Sequence, residues 1–294
     1  VITEIAPAPE RVASTPARPR KKRPAWDEVP RWHVYLPLAL YLLFTLVPFY
    51  WILLFALRPA GSTSLVPWPM TFDHFEKVWN ERAFGTYFQN SVLVGLATLV
   101  MTTLVALAGG YALARFDFRL KKGFMLALLC TQFVPGALLL VPLFEIFAKL
   151  RMINSLGSVI LAETVFQLPL SMILISGFIR NVPYSLEEAA WVDGCNRFTA
   201  FRIVVLPLLR PGLIAVGSFA FVHAWNHFLF ALMFLSDQGK QTIPVGLNTL
   251  MSADSVDLGA LAAGGIIAAV PVVIVFAFIQ KWLITGFSAG AVKG

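Results

Sequence analysis

Glu188-Ala189-Ala190-Trp191-Val192-Asp193-Gly194, followed by Leu206-Pro207-Leu208, lies in a polar island of about thirty residues between two segments apolar enough to cross a membrane. Pro183 is suited to start a helix there, and Ser185 to cap the turn that follows. Glu187 and Glu188 fall in the first turn, where the helix dipole favours negative charge. Gly194 permits backbone angles that a larger residue resists. A second helical run, Asn196 to Val205, then meets Leu206-Pro207, where proline breaks or restarts the helix. The product is a short amphipathic helix roughly parallel to the membrane and held at both ends. Such a rod suits the passage of a rigid-body motion between a soluble body and membrane helices. An ordinary connecting loop with a surface helix would share these local features.

The composition places this island in a membrane protein. Of 294 residues, 58% are hydrophobic and only 13% charged, and the mean hydropathy is +0.75. A soluble domain has about a quarter of its residues charged. The difference is concentrated in six runs, roughly 34–57, 87–114, 123–147, 156–179, 211–235 and 258–280, each long enough to span a bilayer. The expected fold is therefore all-α with six transmembrane helices. Pro37, Pro48, Pro135, Pro142 and Pro271 interrupt the runs, which lipid tolerates where neighbours restore the lost backbone partners.

Of the 23 lysines and arginines, 17 fall in the N-terminal tail, the second-to-third connection, the polar island and the C-terminal end. Only Arg58, Lys77, Arg82, Lys149, Arg151 and Lys240 fall in the alternate loops. This asymmetry predicts that both termini are cytoplasmic. The net charge of +7 lies where anionic headgroups of membrane lipid would meet it, and no nucleic-acid recognition motif accompanies it. Cys130 and Cys195, one within a span and one in the island, are not expected to form a disulfide.

Residues 1–30, rich in proline and basic side chains, read as a disordered cytoplasmic tail, and residues 31–294 as a single six-helix membrane domain. Phe72, Phe75, Trp79 and Ala83 at helical spacing predict a short amphipathic helix on the outer interface. Gly109-Gly110 in the second run permits close helix packing. Thr242-Ile243-Pro244-Val245-Gly246-Leu247, in the loop from Ser236 to Asp257, is suited to packing on an external partner or covering a pore mouth. No G-x-x-x-x-G-K-[ST] nucleotide signature is present, so any use of ATP belongs to another polypeptide.

A lone Glu-Ala-Ala carries no information, but the full spacing does. Glu188-Ala189-Ala190, Asp193, Gly194, Phe201, Leu206-Pro207-Leu208 and Pro211, between the fourth and fifth runs, resemble the EAA loop at about 180–210 of the membrane subunits of ATP-binding-cassette importers. Ala224-Trp225-Asn226-His227-Phe228-Leu229-Phe230-Ala231 and the terminus from Gly286 to Gly294 resemble the carbohydrate-uptake branch, typified by the smaller, six-span permease of the maltose transporter. The resemblance covers about residues 34–294. Departures are small: Cys195 stands where alanine is usual, Val204 where isoleucine is, and Phe287-Ser288 where leucine-threonine is common.

The resemblance implies a type I importer permease fold without catalytic residues or a bound cofactor, in a bacterial or archaeal plasma membrane. It implies a second permease as heterodimeric partner and an extracytoplasmic sugar-binding protein. It also implies an ATPase dimer, which holds ATP and Mg. Glu188, Ala189, Ala190, Asp193, Gly194, Phe201, Leu206 and Pro207 would meet that ATPase. The terminal residues Ala289, Gly290, Ala291, Val292, Lys293 and Gly294 would reach between its subunits.

His223 and His227, four apart, share one helix face, but no Glu follows the first in the manner of a zinc-binding H-E-x-x-H. One is expected to pack on a neighbouring helix and the other to line an aqueous path. Trp225 and Asn226 offer a stacking face and hydrogen bonds to a sugar, against aromatic core packing as the plainer role. Glu145 and Glu163 are intramembrane carboxylates. They read as gating or solvated vestibule groups, because a proton-coupled carrier would place them at mid-depth beside basic partners. A stand-alone secondary transporter would need such groups and inverted repeats. A membrane enzyme would need a nucleophile or metal constellation, and Ser171 and Ser176 have no base beside them in sequence.

Overall fold

A computed structural model describes residues 32–251 and 256–291, the last ten by their backbone alone. The expected tail at 1–30 and residues 292–294 lie outside the described residues. All regular structure among the described residues is helical. The chain divides into two compact units, 1–49 and 50–294. Helix α1 (Trp32–Leu57) crosses that division, carries no charged side chain and continues through Pro37 and Pro48. A helix apolar on every side needs lipid or protein around it.

In the second unit, α2 (Asp73–Glu76) runs into a π-turn, Lys77–Glu81. Helix α3 (Phe84–Arg115) follows, and then α4 (Lys121–Thr131), α5 (Leu140–Lys149) and α6 (Leu156–Arg180). The polar island holds α7 (Ser185–Val192), α8 (Arg197–Ala200) and α9 (Leu206–Leu208). The chain ends with α10 (Arg210–Asn226), α11 (Leu229–Phe234), α12 (Ile243–Met251) and α13 (Leu258–Ala291). Helices α3, α6 and α10 pack on one another, and α13 leans on α10.

Helix α3 comes close to α6 at Gly110. A Cβ there would lie 2.7 Å from Cγ2 of Ile175 and 3.1 Å from the backbone N of Ser176. Small residues at such contacts let helix backbones meet, as the Gly109-Gly110 pair suggested. Three buried clusters follow. One gathers Phe84, Tyr87, Phe221 and Trp225, another Phe147, Phe230 and Phe234, and a third Ile175, Ile179, Val205 and Leu209.

Among the described residues, four helices are long and apolar enough to cross a membrane, and up to six spans result if each bent pair is one span. The third expected run is not straight. Its two pieces, Lys121–Thr131 and Gly136–Lys149, meet at 95°. Pro135 lacks the N–H a continuing helix needs and disfavours helical angles at Val134. The fifth run ends at Asn226 rather than Leu235, because His227 is extended, with ψ 120°. Its other bend, 74°, falls between Leu208 and Arg210 rather than at Pro207. Pro207 sits in the first turn of α9, where its missing N–H breaks no helical bond.

The short helix after α1 also differs from its expected face. The π-turn rotates the register, so His74 and Val78 are buried while Phe72 and Trp79 are exposed. Lys77 Nζ donates to Asp257 Oδ2 at 2.9 Å, tying this segment to the start of α13. The stretch from Thr242 forms helix α12. It turns Ile243, Val245, Gly246 and Leu250 inward, with the Ile243 N–H on Ser91 Oγ at 2.9 Å. That segment is part of the core, not a free cover. Cys130 and Cys195 are both unpaired thiols.

Candidate functional site

Helix α7 starts without a side-chain cap. Tyr184 occupies the cap position, and Ser185 lies in the first turn, contrary to the expectation for it. Its end is firmer. The Cys195 N–H donates to Ala190 O at 2.9 Å and the Gly194 N–H to Trp191 O at 3.0 Å, the pairing that closes a helix around a left-handed residue. That residue is Gly194, at φ +88°. Asn196 Oδ1 then accepts from the Thr199 N–H at 2.8 Å and starts α8. A π-turn, Phe201–Val205, carries the chain into α9.

The two adjacent glutamates of α7 have opposite fates. Glu188, Ala189 and Asp193 are exposed, and Val192 is 87% exposed. Glu187 and Ala190 face inward and are buried. Ala190 therefore packs on its own chain, and of the two alanines only Ala189 can admit a partner. Glu187 accepts from Arg115 Nε at 2.6 Å and from the Tyr111 hydroxyl at 2.7 Å. Arg115 Nη2 donates further to Val182 O at 2.9 Å. Tyr111 and Arg115 are four apart on α3 and so share a face. Phe201 is half-buried with its ring 5.0 Å from that of Tyr111. Leu206 is half-buried and Pro207 exposed.

Sequence reasoning missed Glu187. Its one local signal is its position three residues before Ala190, on the inward side of α7. The partner, Arg115, lies 72 residues away in sequence.

A second polar cluster lies inside the bundle. Glu163, on α6, is completely buried. It is not a solvated vestibule group, and it does have basic partners, contrary to the sequence reading. His223 Nδ1–H donates to Glu163 Oε2 at 3.0 Å. His227 Nδ1 lies 2.6 Å from Oε1, but neither atom makes a hydrogen bond of acceptable geometry there, so this is a close polar approach. The two imidazoles stack at 5.2 Å and 18°. Among the described residues no group of three or more His, Cys, Asp or Glu is arranged to hold a metal ion.

Of the other two residues considered for a pathway, Trp225 is core. It is 2% exposed, stacks on Phe221 and donates its indole N–H to Ala268 O at 3.0 Å. Asn226 is exposed and donates to Val222 O at 2.9 Å, which leaves its side-chain oxygen open. Ala289, Gly290 and Ala291 continue the backbone of α13. Their side chains, and Val292, Lys293 and Gly294, lie outside the described residues.

Known proteins share the sequence and the fold of this chain. The family described as binding-protein-dependent transport system inner membrane component matches residues 102–288. The diacetylchitobiose uptake system permease protein of Streptomyces coelicolor is 35% identical over 252 residues, 84% of this chain and 91% of that protein. The melibiose/raffinose/stachyose import permease protein of Bacillus subtilis is 33% identical over 84% of this chain and 91% of its own. The trehalose transport system permease protein of Mycobacterium tuberculosis is 31% identical over 85% and 93% respectively. A crystal structure of a bacterial importer of the acidic polysaccharide alginate shares the fold, with TM-score 0.73 at 20% identity over 88% of this chain and 99% of that one. Permease subunits of this kind are multi-pass membrane proteins and not enzymes. An all-helical bundle, a capped helix island between its long helices and these matches together make this chain a member of the binding-protein-dependent transport system inner membrane component family, the permeases of ATP-binding-cassette importers.

Proposed function

We propose that this chain is a saccharide-import permease of the bacterial inner membrane, forming half of a translocation pathway with a second, different permease. An extracytoplasmic binding protein delivers the sugar, and a separate ATPase pair, the carrier of ATP and Mg, drives the cycle through α7–α9. Six spans, with each bent pair counted as one, would leave both termini and the island on the same side of the membrane, and that side is the cytoplasm in this reading. The bias of positive charge supports that orientation. The family and the sugars named for its relatives, diacetylchitobiose, trehalose and the raffinose series, support the substrate class.

The observation that carries the coupling role is the split of α7 into two faces. Glu187 clamps it to the end of α3 and Ala190 is buried beside it, while Glu188, Ala189, Val192 and Asp193 face outward for a partner. Gly194 fixes its exit, and Phe201, Leu206 and Pro207 lead it into α10. A motion imposed on that outward face would thus reach α3 and α10 together. The C-terminal residues Ala289–Gly294 are assigned to the same ATPase contact by resemblance.

The test is a purified complex of both permeases and the ATPase pair, assayed with and without sugar-loaded binding protein. Glu188→Lys should insert normally yet lose stimulated ATP hydrolysis and uptake. Full stimulation in that variant refutes the coupling surface. Uptake into vesicles that stops with an ionophore rather than with ATP depletion refutes the importer itself.

A further inference from the structure

Glu163 and Gln167, four apart on α6, and Phe219, His223, Asn226 and His227, within two turns of α10 and its end, lie on facing sides of one gap. Gln167, Phe219, His223, Asn226 and His227 line a cavity of about 420 Å³ there, in the size range of small-molecule sites, roughly 300–1,000 Å³. Its chemistry is specific. The carboxylate of the cluster, Glu163, is wholly buried behind the rings, and no lysine or arginine lines the space. A carboxylate accepts only, so Glu163 selects the Nδ1–H tautomer of His223. In the neutral ring Nε2 is then an acceptor, on a side chain that is 42% exposed.

The Asn226 side-chain oxygen is a second open acceptor, and Gln167 makes no side-chain hydrogen bond within the described chain, so it adds both donor and acceptor capacity. Phe219 is 54% exposed and offers an apolar face. Amide and imidazole donors and acceptors beside an aromatic face match the hydroxyls and C–H faces of an uncharged saccharide, and no lysine or arginine is there to meet an anionic one.

We propose that this cavity is a saccharide-gripping site contributed by this chain itself, with His223, Asn226 and Gln167 on the sugar and Glu163 as the positioning residue that orients the imidazole. The proposal rests on the importer reading above. It moves the chain from a coupling half-wall to a direct participant in substrate passage.

The experiment uses the complete importer complex in vesicles with its binding protein and three radiolabelled probes: diacetylchitobiose, trehalose and raffinose. The quantity read is sugar imported per ATP hydrolysed. His223→Ala should lower that ratio about tenfold, since a site built to bond hydroxyls loses much of its hold when one partner is removed. His223→Gln, which keeps a hydrogen-bonding group, should recover most of it. Glu163→Gln should fall between them, because an amide oxygen still accepts from Nδ1 but the amide can also flip. A His223→Ala complex whose ratio stays at the wild-type value overturns the proposal, as does one that loses hydrolysis and import in parallel, the mark of a merely structural role. A wild-type complex that is stimulated by a charged solute and by no neutral saccharide instead overturns the saccharide reading on which the proposal rests.

Discussion

Removing Glu187 should release α7 from the bundle more than any other single change in the island. The carboxylate is fully buried and the Arg115 side chain is 9% exposed. Glu187→Ala therefore leaves a nearly buried guanidinium with only Val182 O as acceptor and strips the Tyr111 hydroxyl of its partner. Breaking one side of a buried ion pair costs about 3–5 kcal/mol. Arg115→Ala leaves the carboxylate stranded and should cost a similar amount. Replacing both with Met removes both charges and fills the space. What remains is two unpaired groups, Tyr111 Oη and Val182 O, each costing about 1 kcal/mol.

The double variant should thus lose only about 2 kcal/mol, far less than the roughly 6–10 kcal/mol sum of the singles. Hydrogen–deuterium exchange of the α7 amides in the purified complex reads this local opening directly. Protection should collapse in each single variant and return largely in the double. Equal or additive losses across the three variants would refute the ion pair as the clamp.

Other sites give independent checks. Gly194→Val, at φ +88°, should cost about 1–3 kcal/mol and lower stimulated ATPase activity, while Gly194→Asn, which tolerates that region better, should be milder in both assays. Gly110→Val would press on Ile175 and the Ser176 backbone, so thermal unfolding of the purified complex should show a loss of about 1–3 kcal/mol from overpacking.

Asp257, just before α13, is held below the usual carboxylate range by the Ala260 N–H first, against an opposing contribution from partial burial, and next by the Lys77 ammonium. Its stabilising contribution is present above the ordinary aspartate pKa and fades as pH falls through its lower folded value. The stability difference between wild type and Asp257→Asn in thermal unfolding should therefore shrink from pH 7 toward about pH 3. An unchanged difference would refute the assignment.

Hydropathy alone was enough to locate the long helices, because an uncharged run of membrane-spanning length has no soluble alternative. The expected ends of the second and fourth runs lie within a turn of α3 and α6. The island was only partly readable: Gly194 carries the left-handed turn expected of it, whereas the side-chain cap falls to Asn196 rather than to Ser185. Prolines were read less well. Pro37, Pro48 and Pro271 lie inside continuous helices, whereas Pro135 marks a 95° bend. The cost of a missing N–H depends on what packs around it, which local sequence does not record.

The same limit governed the charged groups. Glu187 and Glu188 are neighbours with identical side chains, and only the arrival of Tyr111 and Arg115 from α3 makes one a buried clamp and the other an outward carboxylate. Glu163 read as a solvated acid because its histidines are 60 and 64 residues further along the chain. Packing of α6 against α10 brings them to it. Sequence by itself determined the long apolar helices and the left-handed turn at Gly194, since these follow from hydropathy and nearby backbone contacts, and its motif spacing carried the family resemblance. Tertiary structure alone decided which polar groups meet, because the free energy of a buried charge is set by partners that the fold, not the neighbouring residues, supplies.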